Sequence, residues 1–462
     1  MKKNLLHIIF ANVFYLLVVA GTNFFLPKFT SIETYAAIKE YTLYLTTYST
    51  ILTFGYLQGM YIEYGGKELE KISADDVGIN ITSFFILQFP AAVMISLIGA
   101  YKGNVAITAV GIGILATNMQ GFYQMLYQAT GDFKAYGTAL NVSRVAIFVA
   151  YLLLIFVVRT DSKYVFVWIG PIVGLVSAIY LSYDLQKKLH FFKELKFSEI
   201  AIQKNIRTGF VLMVGDFVSK FFSSLDRWFV KTLMDTYNFA MYSFAVSMEN
   251  LVNTFMTPVT VSMYNYFCKG HNRDDIMRIK NAALIYGFVI IAGAYPAKWI
   301  LENYMTEYIA SSVIIFPLFA AQGISAIVKG IYVNKYKAEK KQKEYLIQII
   351  AMLALAVILN AAFYYVYNRA VAFAIATLIT NIVWLLLCEC KATDIRYDWK
   401  ALLSITILLV TYMVTGYMCN SIAGCLIYCG IGFAVGMTLM KNSFLYVVEG
   451  IVQAVKGKLL RK

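Results

Sequence analysis

The stretch VGINITSFFILQFPAAVMISLIGA, residues 77–100, decides the class of fold because it contains no charged side chain. About 20 consecutive apolar residues are enough for a helix to cross the hydrocarbon core of a membrane. The whole chain shares this character, since 60% of its 462 residues are hydrophobic and only 14% are charged. A soluble protein carries about 25% charged residues, so the composition excludes a soluble enzyme, a disordered chain and a disulfide scaffold. The sequence predicts an all-α polytopic membrane protein.

Further stretches of this kind predict about fourteen transmembrane helices. The predicted spans are 5–27, 39–62, 77–100, 105–128, 137–158, 164–184, 207–228, 237–265, 280–300, 309–333, 344–366, 370–389, 400–418 and 422–440. The connections are too short to hold a soluble catalytic domain. The longest of them, around 185–206, mixes Lys with Phe, Leu and Ile, which predicts a segment lying along the membrane surface.

An internal repeat organises these spans. Thr34-Tyr35 opens the second span and Thr236-Tyr237 opens the eighth, 202 positions later. The same offset relates other helix starts of the first six spans to those of the next six, which predicts two parallel six-helix repeats around a central cavity, an architecture for alternating access. The predicted domains are a six-helix bundle at 1–186, an amphipathic cytoplasmic linker at 187–206, a second six-helix bundle at 207–390, and two extra helices with a basic tail at 391–462.

The net charge of +14 fits a membrane protein better than a nucleic-acid partner. Lys and Arg collect in the cytoplasmic loops of membrane proteins, and most of the basic residues fall on one side when the N-terminus is placed in the cytoplasm. We therefore predict that both termini are cytoplasmic and that the chain binds no nucleic acid.

Basic residues inside the spans are the first candidates for a functional site. Arg144, Lys220 and Lys329 lie well inside predicted helices. A charge inside a membrane costs about 2.5–3.5 kcal/mol even on the most forgiving scale, so such residues face protein or water. With Lys39 and Arg227 they are interpreted as a cationic cavity that binds an anionic substrate. The alternatives are structural ion pairs, a side chain of Lys329 that extends to the membrane surface, and, for Arg227 with its neighbour Asp226, a position in the lipid headgroups.

The seventh span carries the densest pattern of charge. Asp216 and Lys220 are four residues apart, on the face that also bears Arg227, and are expected to form an ion pair. Asp216, Asp226 and Glu249 are candidates for coupling to a proton or a sodium ion, with simple charge balance as the alternative. The sequence indicates no cofactor, and its Cys and His residues have no metal-site spacing.

Polar side chains also recur at helical spacing, where they are predicted to line the cavity. Such residues also serve as hydrogen-bonding contacts between membrane helices, which is the alternative interpretation. The predicted cavity residues are Thr46 and Ser49 in the second span, Gln120 and Gln124 in the fourth, and Asn253 in the eighth.

Several stretches resemble a known family. Residues 34–66, TYAAIKEYTLYLTTYSTILTFGYLQGMYIEYGG, resemble the second-helix region of polysaccharide biosynthesis flippases, as do Leu225-Asp226-Arg227 and the stretch QATGDFK at 128–134. These proteins are the O-antigen or capsule repeat-unit flippases of the multidrug/oligosaccharidyl-lipid/polysaccharide exporter superfamily. The resemblance implies a multi-pass protein of the bacterial cytoplasmic membrane that transports undecaprenyl-pyrophosphate-linked oligosaccharide. It also implies membrane lipids and polysaccharide assembly proteins as partners.

Three other functions stay open. Lipid II flippases resemble this chain in layout but typically carry basic residues in the first helix, where none occurs here between Lys3 and Lys28. Multidrug exporters of the superfamily usually bind cations, which the predicted cationic cavity disfavours. An integral-membrane polymerase or glycosyltransferase usually needs a large outer loop or a cluster of catalytic acids and His. Because this chain has neither, a transporter is predicted rather than an enzyme.

Overall fold

A computed structural model describes residues 18–268, 272–392 and 395–449. Helices are the regular elements in these ranges, and no strand occurs in them, which confirms the all-α fold class. The predicted start of the first span, residues 5–17, and the basic tail from 450 lie outside the described residues.

The helices follow one another with short connections. In the first half they are α1 (18–29), α2 (Ile32–Leu52), α3 (Tyr56–Tyr64), α4 (Ala74–Tyr101), α5 (Val105–Thr130), α6 (Phe133–Leu152), α7 (Lys163–Leu189), α8 (Glu199–Phe222) and α9 (Leu225–Leu233). In the second half they are α10 (Thr236–Cys268), α11 (Arg273–Ile291), α12 (Ala294–Asn303), α13 (Ser312–Ile327), α14 (Asn334–Ala338), α15 (Gln342–Val366), α16 (Ala370–Lys391), α17 (Trp399–Met418) and α18 (Ser421–Leu439).

Short polar side chains set where many of these helices begin. Each accepts a hydrogen bond from the backbone N–H three residues later and so satisfies one of the free donors of the first turn. The residues that cap a helix in this way are Ser31, Ser73, Asn104, Ser198, Asp398 and Asn420.

Within the described residues, nine helices are long and apolar enough to cross a membrane, and ten if α8 and α9, which meet at a bend of 57°, form one span. The chain is therefore a multi-pass helical membrane protein. The predicted number of fourteen is not confirmed. The predicted second span differs in form, since it is broken into α2 and α3 rather than continuous.

Two compact units make up the described chain. The first takes the described residues up to Lys231 together with Asp235–Ala240, and the second takes Thr232–Met234 and the described residues from Met241 onward. The sequence assigns α8 to the second bundle, which it starts at residue 207. The structure groups α8 with the first unit because α8 packs closely against α3.

In the second unit, α17 and α18 attach to the other helices through aromatic rings. The ring of Tyr295 in α12 lies 5.8 Å from that of Tyr412 and 5.7 Å from that of Tyr428, measured between centroids. The Tyr428 hydroxyl also donates to the carbonyl oxygen of Phe288 in α11 at 2.8 Å. The two extra helices of the sequence prediction thus pack directly on other helices of the second unit.

Candidate functional site

Contacts along the whole length of α2 and α3 join them to α8 and α9, all within the first unit. At one end, Lys231 pairs with Glu40 at 2.7 Å. At the other end, Lys204 forms an ion pair with Glu63. Because residue numbers rise along one segment as they fall along the other, the two broken helices run antiparallel. We call this the α2–α8 contact.

Two polar bonds lie between these ends. Lys220 Nζ donates to Thr50 Oγ1 at 3.1 Å, and Gln58 Nε2 donates to Asp216 Oδ2 at 3.3 Å. The ion pair predicted between Asp216 and Lys220 is not formed in the described structure. Both side chains reach across to the neighbouring helix, where each finds a polar partner, so the i,i+4 spacing does not bring the two charges together.

The chain breaks between α2 and α3 in the middle of this contact. Phe54 and Gly55 have positive φ angles of 50° and 88°, which end one helix and start the next. A free backbone carbonyl is costly in a membrane. Gln88, which is fully buried, donates to the carbonyl oxygen of Leu52 at 2.8 Å and accepts from Asn118 at 2.6 Å. The break is therefore supported by α4 and α5.

Glycine lets the two segments touch backbone to backbone next to the break. A methyl group at Gly209 would overlap the carbonyl oxygen of Gly55, and one at Gly59 would overlap that of Asn205. Such small-residue contacts are typical of close helix pairs in membranes. Here they explain why α8 is grouped with the first unit.

Two cations of the α2–α8 contact have no carboxylate partner within the described chain. The ammonium of Lys39 lies 5.1 Å from the centroid of the Tyr35 ring. The positive charge of Arg227 repels this ammonium. The Nε atom of Arg227 is buried without a hydrogen bond. The buried Asp226 carboxylate accepts the backbone N–H of Arg227 at 2.7 Å instead. Neither Lys39 nor Arg227 therefore forms an ion pair with a described carboxylate.

The predicted polar residues of the first unit differ in their surroundings. Thr46 is exposed and donates to the carbonyl of Thr42 in its own helix at 2.9 Å, whereas Ser49 is buried. Gln120 donates to the carbonyl of Gly174 in α7 at 2.8 Å, which is the contact between helices that the alternative interpretation expects. Gln124 is half-buried in the same helix.

Arg144 lies on a helix that does not belong to the α2–α8 contact. It sits on α6, which packs against α5 and α7, and its side chain is exposed.

The remaining predicted residues lie in the second unit. Lys329 is half-buried on a π-helical segment, Val328–Val333, and interacts electrostatically with Glu249 of α10. This interaction is what charge balance predicts for Glu249. Asn253 is exposed on the same helix. π-helical segments are frequent at functional sites, which makes Lys329 a candidate on geometric grounds as well.

The sequence reasoning missed a buried charge network in the second unit. Lys280 and Glu389 form an ion pair of 2.7 Å, with 0% and 5% of their side chains exposed. Glu389 also accepts the Tyr332 hydroxyl and, at 2.7 Å, the backbone N–H of Tyr397, whose ring centroid lies 3.5 Å from Lys280 Nζ. Both charged residues stand at the ends of predicted spans, where a charge is normally assigned to the membrane surface. We call this group the Lys280–Glu389 network.

Comparison with solved structures identifies the fold. A structure described as lipid II flippase MurJ, in an inward closed conformation, matches with a TM-score of 0.66 at 16% identity, covering 97% of this chain and 100% of that one. The chain shares the MurJ fold. An inward-facing multidrug resistance MATE family transporter of the MOP superfamily matches with a TM-score of 0.55 at 12% identity, covering 82% of this chain and 95% of that one. No family model matches the sequence, and no curated protein matches it either.

Proposed function

We propose that this chain is a flippase of the multidrug/oligosaccharidyl-lipid/polysaccharide exporter superfamily. It moves undecaprenyl-pyrophosphate-linked oligosaccharide units from the cytoplasmic to the outer leaflet of a bacterial cytoplasmic membrane by alternating access. The proposal involves no covalent chemistry. The MurJ-like fold supports it, because both structures reported above are described as a flippase or a transporter.

Three cations of the α2–α8 contact that form no ion pair in the described chain carry this proposal. Lys39, Lys220 and Arg227 are without a carboxylate partner in the described chain, and Lys220 is held only by a hydroxyl. Charged donors bind phosphate oxygens more strongly than neutral ones do, and more strongly still where water is scarce. A pyrophosphate group is the part of the substrate that these side chains would recognise.

The other predicted residues would act within their own units. Arg144 and Lys329 would add positive charge on α6 and on the π-helical segment of the second unit. Thr46, Gln124 and Asn253 would meet the glycan, whereas Ser49 is buried and Gln120 already bonds the Gly174 carbonyl. Asp216, Asp226 and Glu249 remain the candidates for coupling to a proton or a sodium ion, or for balancing nearby cations.

Lipid II is the second candidate substrate, because the MurJ structure is described as a lipid II flippase. Lipid II and the oligosaccharide-linked lipid share the pyrophosphate and differ in the attached sugar and peptide, so the cations alone do not separate them. A cationic drug is disfavoured by the same positive charge. A polymerase would instead form new glycosidic bonds.

The test is transport by the purified chain in sealed vesicles. Vesicles would carry a fluorescent undecaprenyl-pyrophosphate oligosaccharide, lipid II, or an uncharged polyprenol with the same label, and a membrane-impermeant reagent would report arrival in the opposite leaflet. We expect transport of the oligosaccharide lipid and none of the uncharged polyprenol. Lipid II as the better substrate would replace the proposed cargo, and equal movement of all three would remove the role of the cations. Release of longer glycans would indicate a polymerase.

A further inference from the structure

The linker between α7 and α8 packs against α4. A methyl group at Gly78 of α4 would overlap the carbonyl oxygen of Glu194, and the backbone N–H of Ser198 donates to Ser83 Oγ at 2.9 Å. Gly78 and Ser83 are separated along α4 by about 7.5 Å, at 1.5 Å per helical residue. Because α4 is one of the helices long and apolar enough to cross a membrane, the linker packs against the beginning of a candidate span.

Three apolar side chains of the linker are exposed, while a fourth, Phe191, anchors it. Phe191 is buried, and its ring centroid lies 4.9 Å from that of Phe192. Phe192, Leu195 and Phe197 are 46%, 50% and 54% exposed. An apolar surface at the edge of a span is matched by the acyl chains nearest to the lipid headgroups.

The charges beside this apolar surface are only partly paired. Lys196 donates to the carboxylates of Glu194 at 2.9 Å and Asp75 at 3.0 Å, and these hydrogen bonds, first that to Glu194, raise the pKa of its ammonium. Lys187 and Lys193 are exposed and form no ion pair in the described chain, although the Lys187 ammonium lies 4.4 Å from the centroid of the Tyr183 ring. Two cations are therefore available next to exposed apolar side chains.

We propose that residues 187–198, which are the last residues of α7 and the linker up to α8, bind anionic phospholipid headgroups in the leaflet next to them. Phe192, Leu195 and Phe197 contact the acyl chains, while Lys187 and Lys193 bind the headgroup phosphates. Each lysine near an anionic surface is expected to enrich the anionic lipid by about fivefold. This lipid site is separate from the α2–α8 contact, so it stands or falls independently of the transported substrate.

Quenching of a tryptophan placed in the linker tests the proposal. Phe197→Trp would be introduced into the full chain, and the five native Trp residues corrected for with the chain lacking this substitution. Nanodiscs of phosphatidylcholine would contain about 10 mol% of a brominated lipid, either phosphatidylglycerol or phosphatidylcholine, so that an anionic headgroup competes with an excess of neutral ones. We expect stronger quenching by brominated phosphatidylglycerol, and a difference that fades at high salt.

A charge-matched control separates a local site from general attraction. Lys187→Gln/Lys193→Gln should remove the difference between the two brominated lipids. Lys102→Gln/Lys163→Gln should keep it, because these exposed lysines lie at the opposite ends of α4 and α7. Equal quenching by both lipids in the unmodified linker would overturn the headgroup preference. Absence of quenching would show that the linker does not reach the membrane, and loss of the difference in the control would assign it to net charge.

Discussion

Lys280 and Glu389 in the second unit form a buried ion pair, whereas Lys39, Lys220 and Arg227 in the first unit have no carboxylate partner in the described chain. In the Lys280–Glu389 network, backbone and Tyr hydroxyl groups also bind the charges. In the α2–α8 contact, a single hydroxyl binds Lys220 and the Nε atom of Arg227 is left without a bond. A buried charge depends on its partners inside the protein, so that removing one partner is costly, while an incompletely bound charge is available to a ligand.

The largest expected effect comes from breaking the Lys280–Glu389 network. Glu389→Gln removes the carboxylate that Lys280 binds at 2.7 Å while the buried ammonium remains, and breaking a buried pair in this way typically costs about 3–5 kcal/mol. We expect a large loss of folded protein, measured by size-exclusion chromatography and thermal unfolding in detergent. Lys280→Met/Glu389→Gln should recover much of this loss, because no buried charge remains. A single variant as stable as the parent would show that the pair is not buried as described.

A smaller effect is expected at the glycine contact between α3 and α8. Gly209→Ala forces the backbone of α8 away from Gly55, and overpacking of this kind costs about 1–3 kcal/mol. Gly215→Ala is the matched control on the same helix, since no atom lies within 4 Å of the added methyl group. Gly209→Ala should unfold at a lower temperature than the parent chain and transport less in the vesicle assay. Identical behaviour of the two variants would contradict the close approach.

Charge removal at Lys220 should affect transport more than folding. Lys220 is exposed and donates one hydrogen bond, so Lys220→Gln should change stability by less than about 1 kcal/mol. Transport should fall by about tenfold and be partly restored in Lys220→Arg, which keeps the charge. Lys71→Gln, in an exposed pair with Glu68, is the control. Equal transport by the Gln and Arg variants would show that this site does not supply charge.

The smallest expected effect is the coupling between Asp216 and Lys220. Their separate partners, Gln58 and Thr50, imply that the stability changes of Asp216→Asn and Lys220→Gln add within about 0.5 kcal/mol. A double-mutant cycle by thermal unfolding measures this. Strong coupling would restore the ion pair predicted from the sequence, in which either single substitution leaves an uncompensated charge.

Sequence patterns predicted the site residues unequally well. The dense charge of the seventh span led directly to the α2–α8 contact, because Lys220, Asp216 and Arg227 all lie in it. The partners of Lys220 and Asp216 were not predictable, since Thr50 in α2 and Gln58 in α3 are more than 150 positions away in sequence. Lys280 and Glu389 were missed because a charge at the end of a span looks the same in sequence whether it is buried or meets the lipid headgroups.

The sequence by itself determined the all-α membrane class, because each long apolar stretch needs a helix to satisfy its backbone in a membrane. The sequence also fixes the positions of the basic residues along the chain, and it predicts the internal repeat. Tertiary structure alone decided which charges are paired, that the second predicted span breaks at Phe54 and Gly55, and that α8 packs with the first unit. These features depend on the approach of distant segments, where the missing side chain at Gly209 and the hydrogen bond that Gln88 donates to the Leu52 carbonyl set the geometry.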